Sequence, residues 1–242
     1  LIAGCGTGQH ALYTTSKYLN PHVLAVDLSL NSLAYAERKT KELGFSNIEY
    51  VQGDLTELSK LEQRFDSIEC VGVLHHLGDP LAGWQVLVDL LRPGGLMKIG
   101  LYSEIARQNL VAGFSLISEK GYSTSAEDIR RCRQDIIAMA ANGNTQMAKI
   151  CDRNDFFTTS ECRDLLFHVQ EHRFTLPQIE AALTSLQLKF LGFEMEDQRT
   201  LRKFRESHPN TNAPTSLSLW HEFELDNPDT FIGMYQFWCK KL

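Results

Sequence analysis

The sequence predicts an α/β fold: an open, mostly parallel sheet with helices on both faces and an antiparallel strand at the C-terminus. Three observations carry that prediction. Short apolar runs alternate with helix-patterned segments over residues 1–102, and such alternation calls for parallel pairing through right-handed crossovers. The first apolar run, LIAG, breaks into GCGTG, with Gly4, Gly6 and Gly8 at alternate positions ahead of a helical pattern. Glycine admits φ > 0 and lets a ligand approach the backbone. Two later strands end in acids, Asp27 and Asp54, and ligands of open α/β sheets lie at the carboxyl ends of the strands.

The elements follow in order. LIAG (1–4) is the end of a buried strand, and GQHALYTTSKYL (8–19) is a helix. HVLAVDL (22–28) is a short strand. Ser29 then has the N-cap position of a helix that closes on Gly44. NIEYVQGD (47–54) and FDSIECVGVL (65–74) are strands, and LAGWQVLVDLL (81–91) is an apolar helix. RPGG (92–95) reads as a turn before the strand LMKIGLY (96–102).

Residues 103–174 break the rhythm. EIARQNLVAGFSLI, SAEDIRRCRQDIIAMA and SECRDLLFHVQEH all have helical spacing, and Ser125 with Asp128 forms a capping-box pattern. This stretch is expected to be a helical cap over the strand ends. Its apolar residues Phe156, Phe157, Leu165, Leu166 and Phe167 are expected to bury against the sheet. The sheet pattern resumes with a helix at 175–187, a strand LKFLGFEME (188–196) and a last strand FIGMYQFWCKKL (231–242) that pairs with it. The expected organisation is a core of residues 1–102 and 175–242 with a cap insertion at 103–174.

Charge and composition narrow the function. The formal net charge of −6 argues against nucleic acid as a partner, and the basic run RTLRKFR (199–205) reads as a solvated helix face. No apolar run is long enough to span a bilayer. Six scattered cysteines without a CxxC pair read as reduced thiols of a cytoplasmic protein. The chain opens inside a strand without Met, so it is expected to be part of a longer protein.

A strand–loop–helix turn with exposed N–H groups suits an anion. GCGTG is not the dinucleotide spacing GxGxxG, because Gln9 occupies the place of the last glycine. Asp27 can accept from both hydroxyls of a ribose, and Asp54 from an amine such as that of adenine. The series GCGTG, VDLSLNSLAYAERK, VQGDLTEL, FDSIECVGVLHHLGDP and LLRPGGLMKIGLY resembles the motif series of class I S-adenosylmethionine-dependent methyltransferases. GLYSEIARQ, CRDLLFHVQEHRFTLPQIE and NPDTFIGMYQFW are similar to methyltransferase domains found behind tetratricopeptide repeats. The resemblance implies a Rossmann-like doubly wound sheet and S-adenosyl-L-methionine as cofactor. It implies that Gly4, Cys5, Gly6 and Gly8 approach the methionine portion, and that Asp27 binds the ribose with Leu28 on the adenine. Gly53, Asp54 and Leu55 flank the adenine, and Gly72 and Val73 lie near the sulfonium. One departure is visible: many members carry an acid two residues before the first glycine, where this chain has Ile2.

Methyl transfer needs a positioned acceptor and, in some cases, a base. His75 and Tyr102, after the 65–74 and 96–102 strands, are the expected catalytic residues, with His76 and Glu104 beside them. The acceptor stays unnamed. HVQEH (168–172) spells an inverted zinc-protease motif without a third ligand, so no metal is expected. Two rivals stand beside the methyltransferase: a silent cofactor- or partner-binding module of a repeat protein, and a nucleotide-linked oxidoreductase, which the glycine spacing and Asp54 oppose.

Overall fold

A computed structural model of the chain describes residues 1–168, 171–195 and 197–242. They form two compact units, Leu1–Ser103 with His172–Leu242, and Glu104–Glu171.

The first unit holds seven strands: β1 (Ile2–Ala3), β2 (Val23–Asp27), β3 (Ile48–Gln52), β4 (Phe65–Val71), β5 (Leu91–Leu101), β6 (Leu188–Phe193) and β7 (Tyr235–Lys241). Their order is β3-β2-β1-β4-β5-β7-β6. The first five pair in parallel, and β7 runs antiparallel between β5 and β6. The order reverses beside β1, which places the loops after β1 and β4 at the switch point where such sheets bind ligands.

Alternate residues of the strands feed two cores. One face packs Ile68, Met97, Ile99 and Phe237 against Trp84 and Leu87 of α3 (Pro80–Leu90). It also packs against α8 (Leu176–Ser185), α9 (Gln198–Ser207) and α10 (Leu217–Asp226). The other face packs Ile2, Val23 and Ala25 against Ala11 of α1 (Gln9–Lys17) and Leu33 of α2 (Leu30–Glu42). Each fully buried leucine or isoleucine contributes about 1.5–3 kcal/mol.

Local chemistry sets the ends. Ser29 caps α2 by accepting from the Ser32 N–H at 3.2 Å. Thr175 and Gln178 close a capping box on α8. The Lys241 ammonium donates to the carbonyls of Val88 and Leu91 at 2.6 and 2.9 Å, satisfying the end of α3. RPGG is not a turn before β5. It lies within β5, where the register with β4 jumps from Phe65↔Leu91 to Ser67↔Leu96, a bulge that Gly94 accommodates at φ 74°.

The second unit contains α4 (Val111–Lys120), α5 (Ala126–Ala141), α6 (Thr145–Cys151) and α7 (Thr159–Leu166). Phe156, Leu165, Leu166 and Phe167 bury in this unit's own core with Ile129, Cys132 and Ile150, while Phe157 is exposed. The expected burial against the sheet is thereby corrected. Ser125 caps α5 through the Asp128 N–H, but the Asp128 carboxylate turns to Ser123 instead of completing the box. Residues 105–107 precede the first helical turn, and α6 is a further helix between α5 and α7. Among the described residues no helix is long and apolar enough to cross a membrane.

Candidate functional site

At the carboxyl ends of β1, β2 and β3 lies a partly open cleft of about 110 Å³. Gly4, Asp27, Leu28, Gly53, Asp54, Leu55 and Val73 line it, as do Leu58 and Leu77, which sequence reasoning did not single out. Leu58 repeats the apolar spacing of Leu55 in a short 3₁₀ turn, a signal too short to stand out.

Asp27 organises one wall. Its Oδ2 accepts from the Gly6 N–H at 2.7 Å and its Oδ1 from the Ser29 N–H at 2.9 Å. Each oxygen keeps a lone pair for a further donor, so the carboxylate can take two hydroxyls of a ribose. Across the cleft, Asp54 caps the 3₁₀ turn Leu55–Lys60. The Thr56 hydroxyl and N–H both donate to its Oδ1 and hold the carboxyl below the usual aspartate range. Leu55 is buried on the floor, while Leu28 stands 64% exposed at the rim. A leucine so open beside two acids suits a planar base that would cover it.

The three glycines divide their work. A Cβ on Gly4 would stand 2.1 Å from the Val73 side chain, and one on Gly8 would stand 2.6 Å from that of Ala36. These two serve close packing within the protein. Gly6, at φ 51°, faces open space with no heavy atom within 4 Å of a Cβ. Gly4 lines the cleft as well, and Gly6 leaves the loop's open space. Cys5 turns its side chain into the core beside Ala11, and burial, with Asp27 nearby, pushes its thiol up to about 12. It offers the loop backbone atoms only. Cys5, Gly6, Gly8 and Gly72 do not line the cleft. Gly72 sits at φ 80° after β4.

His75 and Tyr102 also lie outside the cleft, together at the ends of β4 and β5. Their rings stack with centroids 3.8 Å apart, and His76 meets His75 edge-on at 4.3 Å. The chain beyond the helical unit ties both ends: the His172 N–H donates to the His75 carbonyl and the Phe174 N–H to the Tyr102 carbonyl. His75 is fully buried. Next to Tyr102, the Ser103 hydroxyl donates to Glu224 at 2.6 Å, and Tyr235 donates to both oxygens of the same carboxyl. Burial pushes the Glu224 carboxyl above the usual glutamate range.

The HVQEH stretch (168–172) falls partly outside the described residues, at 169 and 170. The helix α7 ends at Leu166, and Glu171 forms a two-pronged ion pair with Arg107. Among the described residues no group of three or more His, Cys, Asp or Glu could hold a metal ion.

The methyltransferase-domain family matches residues 1–95. An uncharacterized protein of Synechococcus sp. is 30% identical over 238 residues, covering 93% of this chain and 55% of that protein. A ubiquinone biosynthesis O-methyltransferase of Paracidovorax citrulli is 29% identical over 113 residues, 46% of this chain and 47% of that protein. The structure of PKMT2 from Rickettsia typhi in complex with AdoHcy superposes with a TM-score of 0.74 at 15% identity. That superposition covers 99% of this chain and 48% of that one, and it shows the fold. The chain spans about half the length of these relatives. With the cleft, its two acids and the glycine loop in place, these matches identify the first 95 residues as a methyltransferase domain of the class I, S-adenosylmethionine-dependent type.

Proposed function

We propose that this chain binds S-adenosylmethionine in the β1–β3 cleft and transfers its methyl group to an acceptor by in-line displacement. The observation that carries the reading is Asp27, whose two oxygens are already aimed by the N–H groups of Gly6 and Ser29. Asp27 binds the ribose, Asp54 accepts from the adenine amine, and Leu28 and Leu55 enclose the base. Gly6 leaves room for the methionine portion, with Gly72 and Val73 toward the sulfonium. His75 and Tyr102 form a stacked pair on the acceptor side. The cofactor supplies the leaving group, so the protein's part is orientation.

The full burial of His75 favours a second reading, a module that binds the cofactor without turnover. Calorimetric titration with S-adenosylmethionine and S-adenosylhomocysteine tests the first step. Asp27→Asn removes one charge-assisted acceptor, worth about 1.5–3 kcal/mol, and is expected to weaken binding about 10–150-fold. No binding by the wild type overturns the proposal. Binding without S-adenosylhomocysteine formation across an acceptor panel selects the second reading.

The six free thiols support a reducing compartment, the cytoplasm. The likeness to repeat-linked domains supports a tetratricopeptide-repeat association, and the net charge of −6 supports a small-molecule or protein acceptor over nucleic acid.

A further inference from the structure

The acid that many class I members carry two residues before the first glycine is Ile2 in this chain. The sheet register shows what stands beside that vacancy. Ile2 pairs with Glu69 of the neighbouring strand β4, and paired residues of adjacent strands project from the same face. That face is the one covered by α1, where Ile2 packs with Ala11. A carboxylate missing from β1 is therefore present one strand away, on the same side and at the same level.

Glu69 is 3% exposed, and a carboxylate so buried requires partners. Its Oε2 lies 2.7 Å from the His10 Nε2. Lys98 stands opposite Glu69 on β5, but its ammonium is engaged with Glu194 at 3.0 Å. His10 is thus the ionisable side chain in direct contact with it, beside the Thr14 hydroxyl. Burial alone would push the Glu69 carboxyl up; the His10 hydrogen bond and charge, with the Thr14 hydrogen bond and the Lys98 charge, outweigh it and hold the group below the usual glutamate range. An ionised Glu69 accepts, so the His10 Nε2 carries the proton.

His10 lies in the first turn of α1, two residues beyond Gly8. Gly8 caps that helix without a side chain, so no capping group anchors the turn. The loop just before it carries the Gly6 N–H that aims Asp27. The His10–Glu69 pair joins this turn to the middle of the sheet.

We propose that Glu69 stands in for the acid that β1 lacks and, through His10, positions the first turn of α1 and the glycine loop for the cofactor. The inference rests on the S-adenosylmethionine reading given above. Glu69 and His10 are positioning residues, acting on the cofactor through the loop.

The test is calorimetric titration of the full chain with S-adenosylhomocysteine, for the wild type, Glu69→Gln, His10→Ala, His10→Gln and the Glu69→Gln/His10→Ala double variant, each checked by circular dichroism and Tm. Each of Glu69→Gln and His10→Ala is expected to weaken binding about tenfold. The double variant should be no weaker than either single, because the two residues act as one unit. His10→Gln, which keeps an N–H donor, should recover most of the affinity. A merely structural tie would lower Tm and leave the dissociation constant within twofold of the wild type, and that result overturns the inference, as do additive losses in the double variant. His10 is a partly exposed residue, so its two variants carry the test if Glu69→Gln does not fold. A wild type that fails to bind overturns the cofactor reading and this inference together; a binding wild type with unaffected variants overturns this inference alone.

Discussion

Replacing each loop glycine by alanine separates internal packing from ligand space. All three sit at positive φ, 80° for Gly4, 51° for Gly6 and 85° for Gly8, and an L-residue in that region costs about 1–2 kcal/mol. For Gly6→Ala that is the whole penalty, since no heavy atom lies within 4 Å of the new methyl. Gly4→Ala adds a clash at 2.1 Å from a Val73 methyl, and Gly8→Ala adds clashes at 2.6 Å from the Ala36 methyl and 2.9 Å from the Tyr50 hydroxyl. Overpacking adds about 1–3 kcal/mol, for totals of about 2–5 kcal/mol. At about 3 °C per kcal/mol for a unit of this size, Gly4→Ala and Gly8→Ala should lower Tm by about 6–15 °C and Gly6→Ala by about 3–6 °C. Affinity should rank differently: Gly6→Ala puts a methyl in the open space of the loop and should weaken S-adenosylmethionine about tenfold. Differential scanning calorimetry and titration read the two effects independently. A Gly4→Ala protein melting within about 2 °C of the wild type would refute the packing argument. A Gly6→Ala protein with undiminished affinity would refute the assignment of that space to the cofactor.

Further predictions concern single side chains. Leu28→Ser removes an exposed apolar surface, so Tm should hold within about 1–2 °C while cofactor affinity falls about tenfold or more, as read by titration. Glu224→Ala removes the buried carboxyl that accepts from the Ser103 and Tyr235 hydroxyls and should cost about 2–4 kcal/mol in urea denaturation. The raised Glu224 carboxyl favours the folded protein most when protonated, so its contribution is complete below the ordinary glutamate range and is lost as pH rises through the folded value. The Tm of Glu224→Gln relative to the wild type should therefore rise between pH 4.5 and pH 8; a flat or falling difference contradicts the direction of that shift. The Cys5 thiol, pushed up to about 12, should resist alkylation at pH 8 in the folded protein and react once it is denatured, as mass spectrometry would show.

What the sequence makes legible is what neighbouring residues decide. Apolar runs set the strands, Ser29 and Thr175 set helix starts, and the acids ending β2 and β3 carry the cleft, because each signal fits within a few residues. What it leaves hidden depends on register and packing across the fold. Nothing near Gly4 or Gly8 announces that Val73 and Ala36 will press against them. The pairing of Ile2 with Glu69 joins residues far apart in the chain. Helical spacing runs on through HVQEH, yet Phe167 leaves the helical region and its N–H closes on Arg163, while Arg107 draws Glu171 into an ion pair. The RPGG turn signal was correct in its chemistry, since Gly94 does adopt positive φ, but long-range pairing with β4 converts the turn into a bulge.

The position of β7 constrains how the sheet is assembled during synthesis. Among the described residues β6 borders only β7, and β7 follows the other six strands. Until residues 235–241 leave the ribosome, the outer edge of β5 has no neighbour and β6 has no ladder to join. The nascent protein thus carries β1 to β4 ahead of an unsealed edge of six residues in β5, Leu96–Leu101. An open edge of that kind templates aggregation. Cotranslational chaperone demand should peak between emergence of β5 and emergence of β7, and premature stop codons just before Tyr235 should yield insoluble product although every cleft residue has been made.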